Sequence, residues 1–578
     1  MSAPRNGTTH NRRLLTIGAL FLLFGGFFIF RLASLQIFSH TTLIARARAQ
    51  RSTIASLAPR RGTIYFTDAG SSERRAVAAT ERDALLLYAV PKLVDQPKRA
   101  ARVIAPLIQM DELLLVQKLQ KPDDPYEVLA RDVPENAVQK ILTYSFRGIA
   151  IAREPMRTYP EKQLASHVLG FYGYVGDKRR GVYGVEGYFD SVLAGRGGKA
   201  EVEYDVAGRP IIFAEEKVEP VVNGSDIVLT IDRSVERVVC EKVKEAAVRH
   251  NAERVSATVV DPKTGAIIAL CAYPDFDPNT YATVPDASVY HNAAIFMPYE
   301  PGSIFKPITM AAGIDLGLVQ PTDTYVDEGF LQIGKFTIRN SDGRRHGIQT
   351  MLQVLDESLN TGAVYVAEKV GKELFRKYVL DFGFGALPGI ELKSEVAGDL
   401  SILFKRGQIY LATASYGQGI TATQLQLVMA YAAIANGGNL MKPYIREALI
   451  SPDGTVERHE PILVRRVLES KTATLLSGML VSVVEEGHGK RAKVPGYYVA
   501  GKTGTAQIPK KDGPGYEVGS NIGSFAGFLP VSDPRFAIAV RVDRPKDVQW
   551  AESSAAPLFG EIARFLVQYY NIPPDDVR

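Results

Sequence analysis

Leu14 to Phe30 is an unbroken apolar run, LLTIGALFLLFGGFFIF, without a single charge. A helix that crosses a bilayer needs about 20 mainly apolar residues. After Arg31 the apolar pattern resumes from Leu32 to Phe38, and an arginine near a helix end can carry its guanidinium to the interface. The run predicts one transmembrane helix near residues 14–36. A cleaved signal peptide is the rival reading, but its apolar core is usually shorter, and no clear small-x-small cleavage site follows. Arg5, Arg12 and Arg13 precede the helix and favour a cytoplasmic N-terminus, whereas Arg46, Arg48, Arg51, Arg60 and Arg61 follow it closely. Charge bias alone leaves the orientation open. Long domains translocate largely regardless of charge, so an exported C-terminal body is allowed.

The rest of the 578 residues is ordinary globular material, 46% hydrophobic and 23% charged, with room for roughly two to four domains. A formal charge of +5, from 68 basic and 63 acidic residues, is too mild to argue for nucleic acid. Cys240 and Cys271 sit among apolar neighbours and read as buried thiols, with a disulfide as the second reading. Two cysteines and eight scattered histidines give no cluster with metal-ligand spacing.

Along the chain, Arg46–Ser52 is a basic, helix-compatible stem. From Arg60 to about Val221 the composition is mixed, with short strands and helices. Arg61–Tyr65 reads as a strand, Tyr188–Leu193 as a helix and Gly195–Lys199 as a flexible loop. Asn223-Gly224-Ser225-Asp226 is a strong turn and marks a domain boundary. Beyond it the pattern sharpens. Ile227–Ile231 is a strand, and Asp232 N-caps a helix to His250. Val255–Val260 and Ala266–Ala272 form a hairpin through Asp261–Gly265. A helical region runs from Ser303 to about Ile434. Strands follow at Ser524–Leu529 and Phe536–Val542, and a closing helix at Pro557–Tyr570. Strands at both ends of a helical middle predict an α+β domain.

Within it, Pro301-Gly302 turns into a buried helix that carries Ser303 and Lys306 on one face. A hydroxyl at the positive end of a helix, one turn from an amine, is a plausible activated nucleophile. On the order of one or two Ser-x-x-Lys matches arise by chance in a chain this long; this chain has only this one. Ser358-Leu359-Asn360, the only Ser-x-Asn, follows, and then Lys502-Thr503-Gly504. A second Lys-Thr-Gly at Lys263 lies in the hairpin turn after Asp261-Pro262, where lysine and glycine are common for solvation and backbone reasons.

The ordered set Ser-x-x-Lys, Ser-x-Asn and Lys-Thr-Gly resembles the serine acyl-transfer enzymes that include penicillin-binding proteins and β-lactamases. Arg61-Gly62-Thr63-Ile64, Arg157-x-Tyr159-Pro160, His167–Gly170, Gly184-Val185-Glu186, Glu300-Pro301-Gly302-Ser303, Lys502–Gln507 and Ser524–Phe528 extend it to nearly the whole chain past the membrane helix, and resemble class B penicillin-binding proteins. One departure is Phe66-Thr67-Asp68-Ala69, where the family usually continues Asp-Arg-Asn-Gly; it touches the non-catalytic region only. The resemblance implies a cytoplasmic tail (1–13), a membrane helix (14–36), a mixed α/β non-catalytic pedestal (37–222) and an α+β transpeptidase domain (223–578).

It also implies roles. Ser303 would attack the penultimate D-Ala carbonyl of a peptidoglycan stem peptide, or a β-lactam. Lys306, held neutral, would accept the hydroxyl proton, and Ser358 would relay it. Lys502 would set the field. Asn360 would bond the substrate amide, and Thr503 and Thr505, beside Gly504, the terminal carboxylate. The backbone N–H groups of Ser303 and Thr505 would form the oxyanion hole. No metal or organic cofactor is expected. The implied location is the bacterial cytoplasmic membrane, with the catalytic domain outside, in a complex with a SEDS-family glycan polymerase and other wall-synthesis proteins. Ser415–Ile420 and Gln424–Leu427 resemble division-type, septal members. An elongation-type member, a bifunctional class A protein, a β-lactam sensor or β-lactamase, and a non-catalytic scaffold of the wall complex are the alternatives. No glycosyltransferase-like block precedes the catalytic domain, and no deacylating glutamate is evident.

Overall fold

A computed structural model describes residues 8–70, 74–121, 124–203, 217–510 and 512–575. The remainder, including the first seven residues of the expected cytoplasmic tail, lies outside the described residues. The chain divides into two compact units, one of Met1–Pro59 with Gly195–Asn223, the other of Arg60–Ala194 with Gly224–Arg578.

In the first unit, helix Thr8–Ala33 continues through a π-helical turn, Ser34–Phe38, into helix His40–Arg51. Among the described residues only Asn11–Phe38 is long and apolar enough to span a membrane, with a mean hydropathy of 2.1; it contains the expected span. Strand Ser52–Leu57 pairs antiparallel with Gly198–Glu203. Gly198 and Lys199, expected in a flexible loop, are therefore strand residues, because the ladder supplies acceptors and donors for their backbone.

The second unit opens with a sheet that crosses the expected boundary. Strand Ile64–Thr67 pairs in parallel with Asp226–Asp232 and antiparallel with Arg75–Ala89. Beyond it, helices Pro97–Ile104, Glu112–Leu119 and Glu135–Thr143 pack Ile104, Leu115, Leu119 and Ile141 on Leu87 and Ala89 in a small separate core. Residues from three of the family-like motifs meet in one buried cluster. Arg61 Nε and Arg157 Nε donate to Glu186 Oε2 and Oε1 at 2.8 and 2.6 Å, and Tyr159 OH donates to the same carboxylate at 3.1 Å. Burial pushes the Glu186 carboxyl up, but Arg157 and Arg61 outweigh it and hold it below the usual carboxylate range. These motifs thus fix packing.

The larger body of this unit is a five-stranded antiparallel sheet between helical layers. Helix α1 (Arg233–Arg249) is capped as expected: Asp232 accepts from Ser234 N and Val235 N, each at 3.0 Å. Strands β1 (Arg254–Val260) and β2 (Ile267–Tyr273) form the expected hairpin. Helices α2 (Lys306–Asp315), α3 (Met351–Asp356), α4 (Asn360–Val370), α5 (Gln424–Ala435) and α6 (Ser470–Glu485) follow. Strands β3 (Ala500–Pro509), β4 (Tyr516–Leu529) and β5 (Phe536–Asp543) complete the sheet, in the order β2-β1-β5-β4-β3. Helix α7 (Ala555–Tyr569) closes the chain and packs with α1 on one core, while α2 and α5 belong to the other. Residues 306–314 of α2 and 424–434 of α5 are all buried, so both helices are surrounded by protein on every side.

Two expectations change. Residues 324–350, within the expected helical region, hold four short strands in two antiparallel pairs, one enclosed in sequence by the other; the glycines and charged residues between Asp327 and His346 supply turns rather than a helical period. Cys240 and Cys271, read as thiols, form a disulfide. One lies on α1 and the other on β2, and the packing of that helix on that strand brings their Cα atoms to 5.4 Å, a separation sequence spacing does not reveal.

Candidate active site

The nucleophile candidate sits where a tight turn enters α2. Gly302 has φ +60°, a region open to glycine. Gly302–Phe305 is a short 3-10 turn, and the α-helix proper begins at Lys306, with Pro307 in its first turn. The expectation of one continuous helix from Ser303 is corrected accordingly. Pro307 is tolerated because the first helical N–H groups have no internal partner. From below, Tyr431 OH on α5 donates to Ile304 O at 2.8 Å.

Strand β3 forms the opposite wall. It is an edge strand, so one side of its backbone is free of a ladder partner and runs along the Ser303 turn. Gly504 makes this possible. A Cβ there would lie 2.8 Å from Ile304 Cγ2 and from Ser524 Oγ, and 2.9 Å from Pro301 O. The glycine thus admits the close approach of the Ser303 turn.

The third wall is the turn between α3 and α4. Ser358 has φ +56°, strained for a residue with a Cβ. It presents two groups to Lys306: Nζ donates to its carbonyl oxygen, and meets its Oγ at 3.2 Å. Asn360 Nδ2 donates to Arg339 O at 2.8 Å; since only the nitrogen can donate, Oδ1 is the atom left to accept from an amide. Thr505 Oγ1 accepts from Ala551 N at 3.0 Å, which leaves its hydroxyl proton available for a carboxylate. Lys502 Nζ lies 3.4 Å from Thr503 Oγ1. Ser303, Ser358, Asn360, Thr503 and Thr505 all line one cleft of about 1100 Å³, while Lys306 and Lys502 lie beneath it, 1% and 0% exposed.

Two buried lysines so close cannot both keep an ordinary charge. Burial, and then the Lys502 ammonium, hold the Lys306 amine well below the lysine range. Burial also lowers Lys502, to about 8, but Asp356 and then Glu357 act against it. Asp356 is itself pushed up to about 6 by burial, against the hydrogen bond from Ser482 and the charge of Lys502. The arrangement favours a neutral amine at Lys306 and a cation at Lys502, which suits a hydroxyl nucleophile. Sequence reading missed these carboxylates, although Asp356-Glu357 directly precede Ser358.

Residues 255–564 match the penicillin-binding protein transpeptidase domain, and residues 56–229 the penicillin-binding protein dimerisation domain. The chain belongs to the class B penicillin-binding proteins. This family is one of serine D-Ala-D-Ala transpeptidases. Among relatives of this class B protein, stage V sporulation protein D of Bacillus subtilis is 34% identical over 96% of this chain and 86% of its own. Penicillin-binding protein PbpB of Mycolicibacterium smegmatis is 34% identical over 82% of this chain and 74% of its own. The crystal structure of penicillin-binding protein 3 from Mycobacterium tuberculosis, complexed with aztreonam, superposes with a TM-score of 0.69 at 27% identity, covering 90% of this chain and 98% of that one. Penicillin-binding protein 2X of Streptococcus thermophilus shares the fold, with a TM-score of 0.74 at 22% identity, over 89% of this chain and 80% of its own.

Proposed function

We propose that this class B penicillin-binding protein cross-links peptidoglycan stem peptides through an acyl-enzyme on Ser303. Ser303 Oγ attacks the penultimate D-Ala carbonyl as its proton passes to the neutral Lys306 amine. The tetrahedral oxyanion rests on the backbone N–H groups of Ser303 and Thr505, each such donor contributing about 3–4 kcal/mol. Lys306 and Ser358 return the proton to the leaving nitrogen, and the terminal D-Ala departs. An acceptor amine then attacks the ester in a ping-pong sequence. Asn360 Oδ1 bonds the substrate amide, and Thr503 and Thr505 bond its terminal carboxylate, with Lys502 supplying the positive field. β-Lactams enter at the same step and acylate Ser303. The observation that carries this reading is the buried Lys306, bonded to Ser358 beneath the cleft.

In this reading residues 14–36 anchor the chain in the bacterial cytoplasmic membrane. Residues 37–222 form the pedestal and 223–578 the catalytic domain, outside the membrane. The division-type resemblance at Ser415–Ile420 supports a septal role with a SEDS-family glycan polymerase.

Full-length protein in detergent, given a fluorescent penicillin, is expected to label once per molecule without turnover, and Ser303→Ala not to label. The wild type is expected to release D-Ala from a stem-peptide donor and to join it to an acceptor amine. Rapid multiple turnover of penicillin would make it a β-lactamase, and labelling without D-Ala release a sensor. Enrichment of a fluorescent fusion along the lateral wall, without a septal band, would sink the division role.

A further inference from the structure

The turn that carries Ser358 and Asn360 is held from outside. Leu359, the residue before α4, offers no side-chain cap, so the first amides of that helix lack a local acceptor. Asn340, 4% exposed, supplies one. Its Oδ1 accepts from Asn360 N at 2.9 Å and from Thr361 N at 3.3 Å. A helix cap ordinarily comes from the residue just before the helix; this one comes from just after strand Phe336–Arg339. Arg339 and Asn340 therefore grip Asn360 together, one through its side chain and one through its backbone.

Asp327 orients this grip. It is fully buried and accepts from Asn340 Nδ2 at 3.1 and 2.9 Å, from Thr361 Oγ1 at 2.6 Å, from His346 N at 2.9 Å and from Gly329 N at 3.1 Å. A carboxylate only accepts, so the Asn340 nitrogen must face it and the Asn340 oxygen must face α4. Burial pushes the Asp327 carboxyl up; the Thr361 hydroxyl, the His346 and Gly329 amides and Asn340 outweigh that and keep it below its usual range. A strained turn persists only where its surroundings over-determine it, and Ser358, at φ +56°, is the strained residue here.

We propose that Asp327 and Asn340 are positioning residues for acyl transfer: they fix the Ser358–Asn360 turn so that Ser358 Oγ stays on Lys306 and Asn360 Oδ1 stays open to substrate. The proposal rests on the reading of Ser303 as the nucleophile. Neither residue touches substrate; both act through the turn.

The test separates the binding constant of a fluorescent penicillin from its acylation rate by stopped flow, on full-length protein. Asn340→Ala is expected to slow acylation about 10- to 100-fold, the scale of a small misplacement of a reacting group, with a smaller weakening of binding through Asn360. Asn340→Asp sets two carboxylates against each other and is expected to lose as much. Adding Asp327→Asn removes the second charge and lets an amide donate back to the new carboxylate, but sets its nitrogen against one of the donors that Asp327 accepts from, and is expected to recover part of the rate. Thr350→Ala, which removes the capping box of α3, serves as the stability control: a lower melting temperature, with acylation unchanged. The proposal falls if Asn340→Ala acylates like Thr350→Ala, or if the exchanged pair recovers nothing. The exchanged pair decides alone if Asn340→Ala does not fold. Labelling of Ser303→Ala would instead overturn the reading of the site, whatever the Asn340 variants do.

Discussion

Lys306 Nζ donates to the backbone carbonyl of Ser358 and meets its hydroxyl at 3.2 Å. One residue thus supplies a fixed anchor for the amine and a movable proton carrier beside it. The carbonyl can only accept, which holds the nitrogen in place. The hydroxyl can both accept and donate, which permits a relay.

Removing the hydroxyl while keeping the carbonyl separates the two roles. Ser358→Ala is expected to slow penicillin acylation by about 10²- to 10⁴-fold, the usual contribution of a positioned proton-transfer group. Ser358→Gly is expected to be equally slow but better folded, since φ is +56° there and glycine adopts it freely. Stopped-flow labelling with thermal melts checks both. Full activity of Ser358→Gly would remove the relay.

The acylation rate is expected to depend on pH in a bell. Lys502, near 8, must keep its proton, so the rate falls as pH rises through that value. Asp356, near 6, must lose its proton to act as counter-charge, so the rate falls as pH drops through that value. In Asp356→Asn the upper limb is expected to move to lower pH. A profile flat through both values would contradict this assignment.

Gly504→Ala tests the close wall. Its Cβ would meet backbone at Pro301 and side chains of Ile304 and Ser524 at under 3.0 Å, pushing β3 from the Ser303 turn. Acylation is expected to fall at least about 100-fold, since small misplacements of reacting groups cost that much. The melting temperature should fall also, because the strand must shift.

The Arg61–Glu186–Arg157 cluster should matter for folding rather than for chemistry. Glu186→Gln leaves the buried Arg157 guanidinium without a carboxylate and Arg61 with Asp190 alone, an expected loss of about 3–5 kcal/mol. The folded fraction should still acylate at the wild-type rate. Melting curves and active-site titration of the soluble fraction read the two effects separately.

Glu236 gives a stability change with a defined sign. It is fully buried and accepts from Leu270 N at 2.8 Å, and burial raises its carboxyl from 4.5 to about 7. Between those values the folded state holds the extra proton, so this contribution is full below 4.5 and is lost as pH rises through 7. Glu236→Gln is expected to melt higher than wild type above pH 7, by roughly 2–4 kcal/mol of stability, and to match it in mild acid. Equal melting at both ends would show that the carboxyl is not strained there.

What the sequence determined by itself is local and ordered. The apolar run ending near Phe38, the Asp232 cap, the β1–β2 hairpin, and the order of Ser303, Lys306, Ser358, Asn360 and Lys502 are written in residue types at short spacing, and local physics reads such spacing. Only the tertiary structure decided the rest. The Cys240–Cys271 bond, the pairing of Ile64–Thr67 with Asp226–Asp232, the carboxylates beside Lys502 and the cap that Asn340 lends to α4 all join residues far apart in sequence. Burial and proximity set the charge on Lys306, and both exist only once the chain has closed around it.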